Sequence, residues 1–398
     1  MTFALPAPTM GPRRREALLS GAGSLLPPPN PLPGRNAEMP DLHAVGPNLD
    51  DLSAMQALDA EGMLQQIRNL PAQCRRAWAD LEGWDLPQGH RSPKAVVIAG
   101  MGGSAIGGDL LRTWAEPVAP VPIVVVRDYR LPAWVGPETL VVASSYSGET
   151  EETLAAFQEA VQRGARVVAL TTGGRLAEWA GAQGTPLVRM SHRSVPRAAL
   201  GASFVSLLGI AHRAGLVPDP QPDLDEALAE MERLREEVDA VVPEERNPAK
   251  RLARALHGRP VLICGAEHLR EVARRWKGQF NENAKAWAFH EELPELHHNS
   301  VLAYESQPTV NRLMAVVLLT SPHYHPRNGL RFQATETLLE RYEVAHFRVE
   351  ARGTSRLAQM LTTLYFGDYV SFYLAALYGQ DPTAMGTITY IKEVLARA

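Results

Sequence analysis

Apolar residues follow two different periods along this chain, and the switch between them marks its organisation. Residues 51–80 (DLSAMQALDAEGMLQQIRNLPAQCRRAWAD) carry apolar side chains at helical spacing, and Pro71 divides them into two short helices. A β-branched run, KAVVIAG (94–100), follows and ends on glycine, as a strand buried on both faces reads. The unit then recurs. VPIVVVRDY and TLVVASSYSGET open as strands, ARVVALTTGG and TPLVRM add two more, and helical segments such as LLRTWAE and EETLAAFQEAVQRG lie between them. Strands alternating with helices predict a parallel sheet covered on both sides.

Residues 221–250 interrupt this rhythm with dense charge and Leu or Met at helical intervals, which predicts a solvated helix crossing between domains. Strand, turn and helix return at RPVLICGAEHLREVARRWKGQFNENAKA and continue through RLMAVVLLTSP, HFRVEARG and the helical LYFGDYVSFYLAALYG. The expected class is α/β, with two similar subdomains, each a mainly parallel sheet flanked by helices. The expected divisions are 1–50, a disordered N-terminal extension; 51–91, a helical lead-in; 92–220, the first subdomain; 221–250, the connecting helix; and 251–398, the second. The extension is broken by proline and glycine and its apolar stretch is too short for a signal peptide; Met39 or Met55 could equally start the chain.

Composition narrows the function more than the fold. A chain of 398 residues suits two domains, and its 45% apolar and 21% charged residues are ordinary for a globular protein. The net charge of -4 gives no basic surface for nucleic acid or anionic membrane, so an anionic ligand needs a local site. No apolar run approaches the roughly 20 residues that span a bilayer. Cys74 and Cys264 are far apart and match no metal spacing, consistent with a reduced, cytoplasmic setting.

Two segments are suited to a phosphate. In GMGGSAIGGD, Gly100, Gly102 and Gly103 allow close backbone approach, and Ser104 stands where a helix begins. In SSYSGET, Ser145, Ser147 and Thr150 supply three hydroxyls between a strand and a helix. Gly100, Gly102 and Ala105 also fit a dinucleotide fingerprint, with Asp128 as its ribose-binding acid. A second hydroxyl-rich loop is no part of that fingerprint, and the two loops together favour phosphate. FHEELPELHHN gathers His290, His297 and His298 with three glutamates, but its spacing matches no metal motif and no metal is expected.

The two loops in this order resemble the sugar isomerase (SIS) domain. LPAQCRRAW, VPRAALG, NENAKAWAFHEELPELHHN and ITYIKEVL extend the likeness, from about Asp51 to the C-terminus, to the bifunctional phosphoglucose/phosphomannose isomerases. The resemblance implies an aldose–ketose isomerase acting on hexose 6-phosphates through a cis-enediol, with no cofactor. It implies that Gly103, Ser104, Ser145, Ser147 and Thr150 hold the phosphate. Arg197 then faces C1 and C2, Glu282 is the base, and His298 and Lys392 open the ring. It also implies a homodimer that completes each site with a histidine from its neighbour. General chemistry agrees: a half-buried carboxylate can shuttle the proton, and a guanidinium stays charged beside an enediolate. His298 is preferred over His297 because it precedes Asn299 directly. One position departs: Glu149 stands where members of this family usually have Asn, and a carboxylate within 4 Å of a phosphate costs about 1 kcal/mol or more. Two other readings remain open, a sugar-phosphate sensor without catalysis and an NAD-dependent oxidoreductase. Sensors on this fold usually carry a helix-turn-helix segment, and none is visible before residue 92.

Overall fold

Five strands build the first sheet: β1 (Ala95–Ala99), β2 (Ile123–Val126), β3 (Thr139–Ser144), β4 (Arg166–Thr171) and β5 (Leu187–Arg189). They lie in the order β2-β1-β3-β4-β5 and every pair is parallel. Four more form the second sheet, also entirely parallel: β6 (Val261–Ala266), β7 (Ala288–Leu293), β8 (Ala315–Thr320) and β9 (Ala345–Glu350), ordered β7-β6-β8-β9. This is a computed structural model, and it describes residues 46–191, 194–305 and 307–397. Most of the expected N-terminal extension, up to residue 45, lies outside the described residues. Among the described residues, 46–383 form one compact unit and 384–397 belong to a second.

The α/β class with two parallel sheets is as the sequence predicts, and β1 shows why its strands lack polar alternation. Val96 and Ile98 pack into the main core, while Val97 and Ala99 face a second core with Leu154 and Phe157. Both faces are therefore dry. Strand β7 is the one missed. At the sheet edge, only Ala288 and Leu293 are buried, and Phe289 to Glu292 keep some exposure, so it has no apolar run to read.

The lead-in holds three helices rather than two: α1 (Leu52–Leu58), α2 (Met63–Arg68) and α3 (Leu70–Ala79). Pro71 sits in the first turn of α3, where its missing N–H costs nothing, so the breaks fall elsewhere. Asp59 makes one of them, accepting from the Met63 and Leu64 amides at 2.6 and 2.9 Å. Helix α4 (Gly102–Ala115) begins inside the glycine-rich segment, earlier than expected. A Cβ on Gly108 would lie 2.9 Å from Ile98, so this glycine lets the helix press onto β1. Three helices follow: α5 (Glu151–Gln162), α6 (Gly174–Ala182) and α7 (Leu200–Arg213).

The charged segment 221–250 is not one solvated helix. It divides into α8 (Gln221–Val238) and the start of α9 (Pro248–Leu256), which Asn247 caps. Leu224, Leu228, Met231 and Leu234 make a buried stripe on α8. The remaining helices of this unit are α10 (Arg270–Glu282), α11 (Pro308–Leu313), α12 (Pro326–Arg341) and α13 (Arg356–Leu377). Helix α13 is buried almost all round, and α8, α9 and α10 pack on it. Gly367 on α13 receives the Trp276 indole of α10. In the second unit, α14 (Gly386–Ala396) exposes Ile388, Ile391 and Leu395. Among the described residues no helix is long and apolar enough to cross a membrane.

Candidate active site

Parallel neighbours β1 and β3 carry their following turns to the carboxyl end of the first sheet, at the point where the strand order reverses. Ser104, 6% exposed in the first turn of α4, accepts from the Tyr146 amide at 3.1 Å and so ties the two turns together. Buried Ser145 shares a hydrogen bond of 2.9 Å with the Thr150 hydroxyl, and its oxygen accepts from the Gly148 amide at 3.1 Å. Gly148 needs its left-handed φ of +73°, and a Cβ there would collide with the Gly173 carbonyl. Thr150 is the N-cap of α5 but makes no side-chain cap, and Ser147 is exposed. The five residues expected to hold phosphate therefore stand together around a helix start that its N-cap side chain leaves open.

Glu149 is accounted for within the protein. Its carboxylate accepts from the Arg175 amide at 2.8 Å and from Arg175 Nε at 2.7 Å, in the first turn of α6. Those bonds, the backbone one first, hold its pKa below the usual carboxylate range. Its charge is thus met by Arg175. Asp128, the residue a dinucleotide would need, accepts from its own neighbour's amide at 2.6 Å.

Gly103 links these turns to Arg197. A Cβ on Gly103 would lie 2.7 Å from the Pro196 carbonyl, so only glycine lets the short 3-10 turn Pro196–Ala198 rest there. Gln73 and Arg275 clamp that turn by donating to the Ala198 and Arg197 carbonyls, each at 2.8 Å. Arg275 also pairs with buried Asp368 on α13 at 3.2 Å. The Arg197 side chain is buried, and the residue is 2% exposed. Its Nε donates to Asn283 Oδ1 at 2.8 Å and its Nη2 to the Pro382 carbonyl at 2.5 Å. Nη1 makes no hydrogen bond among the described residues and lies 3.6 Å from Glu282 Oε2. Burial lowers the Arg197 pKa and Glu282 opposes it, but a guanidinium remains charged at any working pH.

Glu282 closes α10 with its side chain about one-third exposed, at 35%. Asn283 beside it is fully buried and donates to Ser371 Oγ at 3.0 Å. Lys285 donates to the Asn283 carbonyl at 3.3 Å and to the Asp381 carbonyl. Although Lys285 keeps exposed surface, the protein around its amine lowers its pKa to about 8, and Arg197 adds to the shift. The sequence reading passed over Asn283 and Lys285. The available signal was their place in NENAK, directly after the candidate base.

The three histidines separate clearly. His290 lies on β7, half-buried, with a pKa lowered to about 4, by burial before its cationic neighbours. His297 is engaged by the Thr335 hydroxyl at 2.8 Å and by Arg331 at 3.2 Å, and burial lowers its pKa too. His298 is exposed on the 3-10 turn Glu295–His298. Glu282 precedes β7 and His298 follows it, so a six-residue strand, about 20 Å long, separates them within one chain. Lys392 lies on α14, in the separate unit. The Arg197 turn therefore rests on Gly103 with Glu282 beside the Arg197 guanidinium, and the same chain's His298 follows the opposite end of strand β7. Among the described residues no three His, Cys, Asp or Glu gather as a metal site.

Comparison with known proteins places the chain among its relatives. The family model "SIS domain" matches residues 91–178, and "Bacterial phospho-glucose isomerase C-terminal SIS domain" matches residues 245–395. A bifunctional phosphoglucose/phosphomannose isomerase of Caldicellulosiruptor bescii is 41% identical over 335 residues, covering 84% of this chain and 99% of that protein. Its counterpart in Aquifex aeolicus is 35% identical, over 76% of this chain and 91% of its own. The crystal structure of a glucose-6-phosphate isomerase-like protein from Thermus thermophilus superposes with a TM-score of 0.59 at 22% identity, over 86% of this chain and 99% of that one, and shares the fold. With a relative this similar over nearly its whole length, the chain belongs to the bifunctional phosphoglucose/phosphomannose isomerase family.

Proposed function

We propose that this protein interconverts glucose 6-phosphate, and mannose 6-phosphate with it, with fructose 6-phosphate through a cis-enediol. One observation carries the reading. The Arg197 Nη1, without a hydrogen bond among the described residues, lies 3.6 Å from the partly exposed Glu282 carboxylate, and the Arg197 turn rests on Gly103 of the glycine-rich segment.

The 6-phosphate is held by the amides and hydroxyls of Gly103, Ser104, Ser145, Ser147 and Thr150, at the start of α5. Glu282 removes the proton from C2 of the opened aldose and returns it to C1 while the hydroxyl proton passes from O2 to O1, giving the ketose with no net gain or loss of protons. The charge that forms on the enediolate oxygens is offset by Arg197, already fixed by Asn283 and Pro382, so no reorganisation is needed as it forms. Returning the proton to C2 on the opposite face gives the mannose epimer. Ring opening falls to His298 and Lys392. Because His298 stands a strand's length from its own Glu282, a second copy supplies it, which makes the working unit a homodimer with shared sites. The two free, buried thiols support a reducing cytoplasmic setting.

The test is a coupled assay with each hexose phosphate and EDTA present. The wild type turns over both aldoses, and Glu282→Gln loses about 10²- to 10⁴-fold. Equal turnover by the two proteins overturns the reading. Binding of hexose phosphate without turnover in the wild type selects the sensor, and a saturable NADH fluorescence titration selects the oxidoreductase.

A further inference from the structure

Four hydrogen bonds close a ring beside the proposed base. Arg197 gives Nε to the Asn283 side chain and Nη2 to the Pro382 carbonyl. Lys285 gives its amine to the Asn283 backbone carbonyl and to the Asp381 carbonyl, one residue before Pro382. The two groups that orient Arg197 are thus themselves joined by a single ammonium. Asp381 further organises its turn by accepting from the Thr383 amide at 2.8 Å and the Thr383 hydroxyl at 2.6 Å.

The backbone at Lys285 is costly. Its φ of +54° is left-handed, a conformation that suits glycine and that other residues adopt rarely, often where function demands it. A glycine would relieve this strain but would supply no amine. No feature of the mechanism above uses Lys285, and its hydrogen bonds go to backbone carbonyls rather than to a carboxylate. Removing it frees the Asp381–Pro382 peptide to move, and with it the acceptor that fixes Nη2. Nη1 would then no longer be aimed beside Glu282.

We infer that Lys285 is a positioning residue for isomerisation, which clamps Asn283 to Asp381–Pro382 so that the free Nη1 of Arg197 meets the enediolate. The inference rests on the proposed roles of Arg197 and Glu282. It predicts a particular kinetic signature, because the phosphate is held by the other sheet and Lys285 touches none of those residues. Interactions realised in the transition state should suffer, and ground-state binding should not.

The experiment compares wild type, Lys285→Met, Lys285→Arg and Glu282→Gln in steady-state kinetics, with thermal melts to confirm folding. Lys285→Met should lose roughly 10- to 100-fold in kcat, as expected for a misaimed catalytic group. Its KM should change by less than about threefold. Lys285→Arg, which restores donors, should recover part of kcat. Wild-type kcat in Lys285→Met, a loss confined to KM, or no recovery in Lys285→Arg overturns the positioning role. Should Lys285→Met fail to fold, Lys285→Gln replaces it under the same criteria. Glu282→Gln keeps the two readings apart: full turnover there removes the base, whereas loss there beside full turnover in Lys285→Met removes only the clamp.

Discussion

After β1 the chain passes through Gly100 and Met101 into a helix, and after β6, the matching strand of the second sheet, it passes directly to Glu267 and His268. The two turns face similar partners in opposite ways. In the first half, the turn after β3 ends at Thr150, whose side chain does not cap α5. In the second, Glu267 adopts a left-handed φ of +46° and accepts from the His325 amide at 2.7 Å and Asn328 Nδ2 at 2.8 Å, at the start of the helix that follows β8. A carboxylate of the chain sits beside one helix start, and the other, uncapped by its N-cap side chain, is where the phosphate is proposed to bind. Both are the same electrostatic feature, a helix N-terminus that attracts an anion. The duplicated strand order therefore need not give two substrate sites. One half saturates its cradle internally and contributes Glu282 from the opposite end of its sheet.

Substitutions at the two cradles should separate them. Ser104→Ala combined with Thr150→Ala should raise KM for hexose 6-phosphates by about 10²- to 10⁴-fold, as loss of hydrogen bonds to a charged group costs about 1.5–3 kcal/mol each. Steady-state kinetics check this, and an unchanged KM would move the phosphate elsewhere. Glu267→Ala should do the reverse, leaving KM alone while lowering stability by about 1–3 kcal/mol through loss of its bonds to the His325 amide and Asn328. Urea unfolding together with kinetics checks it, and a KM shift as large as in the first half would remove the distinction.

Acid should also strike the halves unequally. His268, next to Glu267, is fully buried, and burial lowers its pKa to about 4. The unfolded chain, with an ordinary imidazole near 6.5, then binds the proton first, so stability falls as pH drops from 6.5 towards 4 and levels off below that. The loss from this residue is on the order of 3 kcal/mol. Unfolding measured at about pH 7 and about pH 4.5 should show most of it, and His268→Gln should blunt it; an undiminished loss would place the acid sensitivity on other groups. The smallest effect is expected at Glu149. Its charge is already met by Arg175, so Glu149→Asn should change KM by no more than about twofold. A larger fall in KM would mean the carboxylate does repel the substrate.

How much of this was legible depended on the range of the interactions. The β-branched strands, the glycine and hydroxyl turns and the general class announce themselves locally, through residues such as Val96 to Ala99 or Ser145 to Thr150. Edge strand β7 did not, since half of its side chains meet water and its polar residues mimic a loop. Helix α8 was misread as solvated because its dense charge hid the stripe from Leu224 to Leu234 that α13 covers. Adjacent histidines could not be told apart until Thr335 and Arg331, far away in sequence, were seen to engage His297. Glu267 gave no local sign, because its partners come from another turn. The Arg197–Glu282 pairing was expected only from the family resemblance, as nothing in the spacing of the two residues foretells a distance of 3.6 Å.

The proposed isomerisation depends on a single carboxylate, Glu282, moving a carbon-bound proton. Solvent deuterium appearing at the carbon-bound positions of glucose 6-phosphate, measured by NMR for wild type and for Glu282→Gln, reads that proton transfer apart from ketose release. The wild type should exchange C2 hydrogen, and Glu282→Gln should bind the sugar phosphate with unchanged affinity in calorimetry while exchanging none. Exchange that persists in Glu282→Gln would contradict the account.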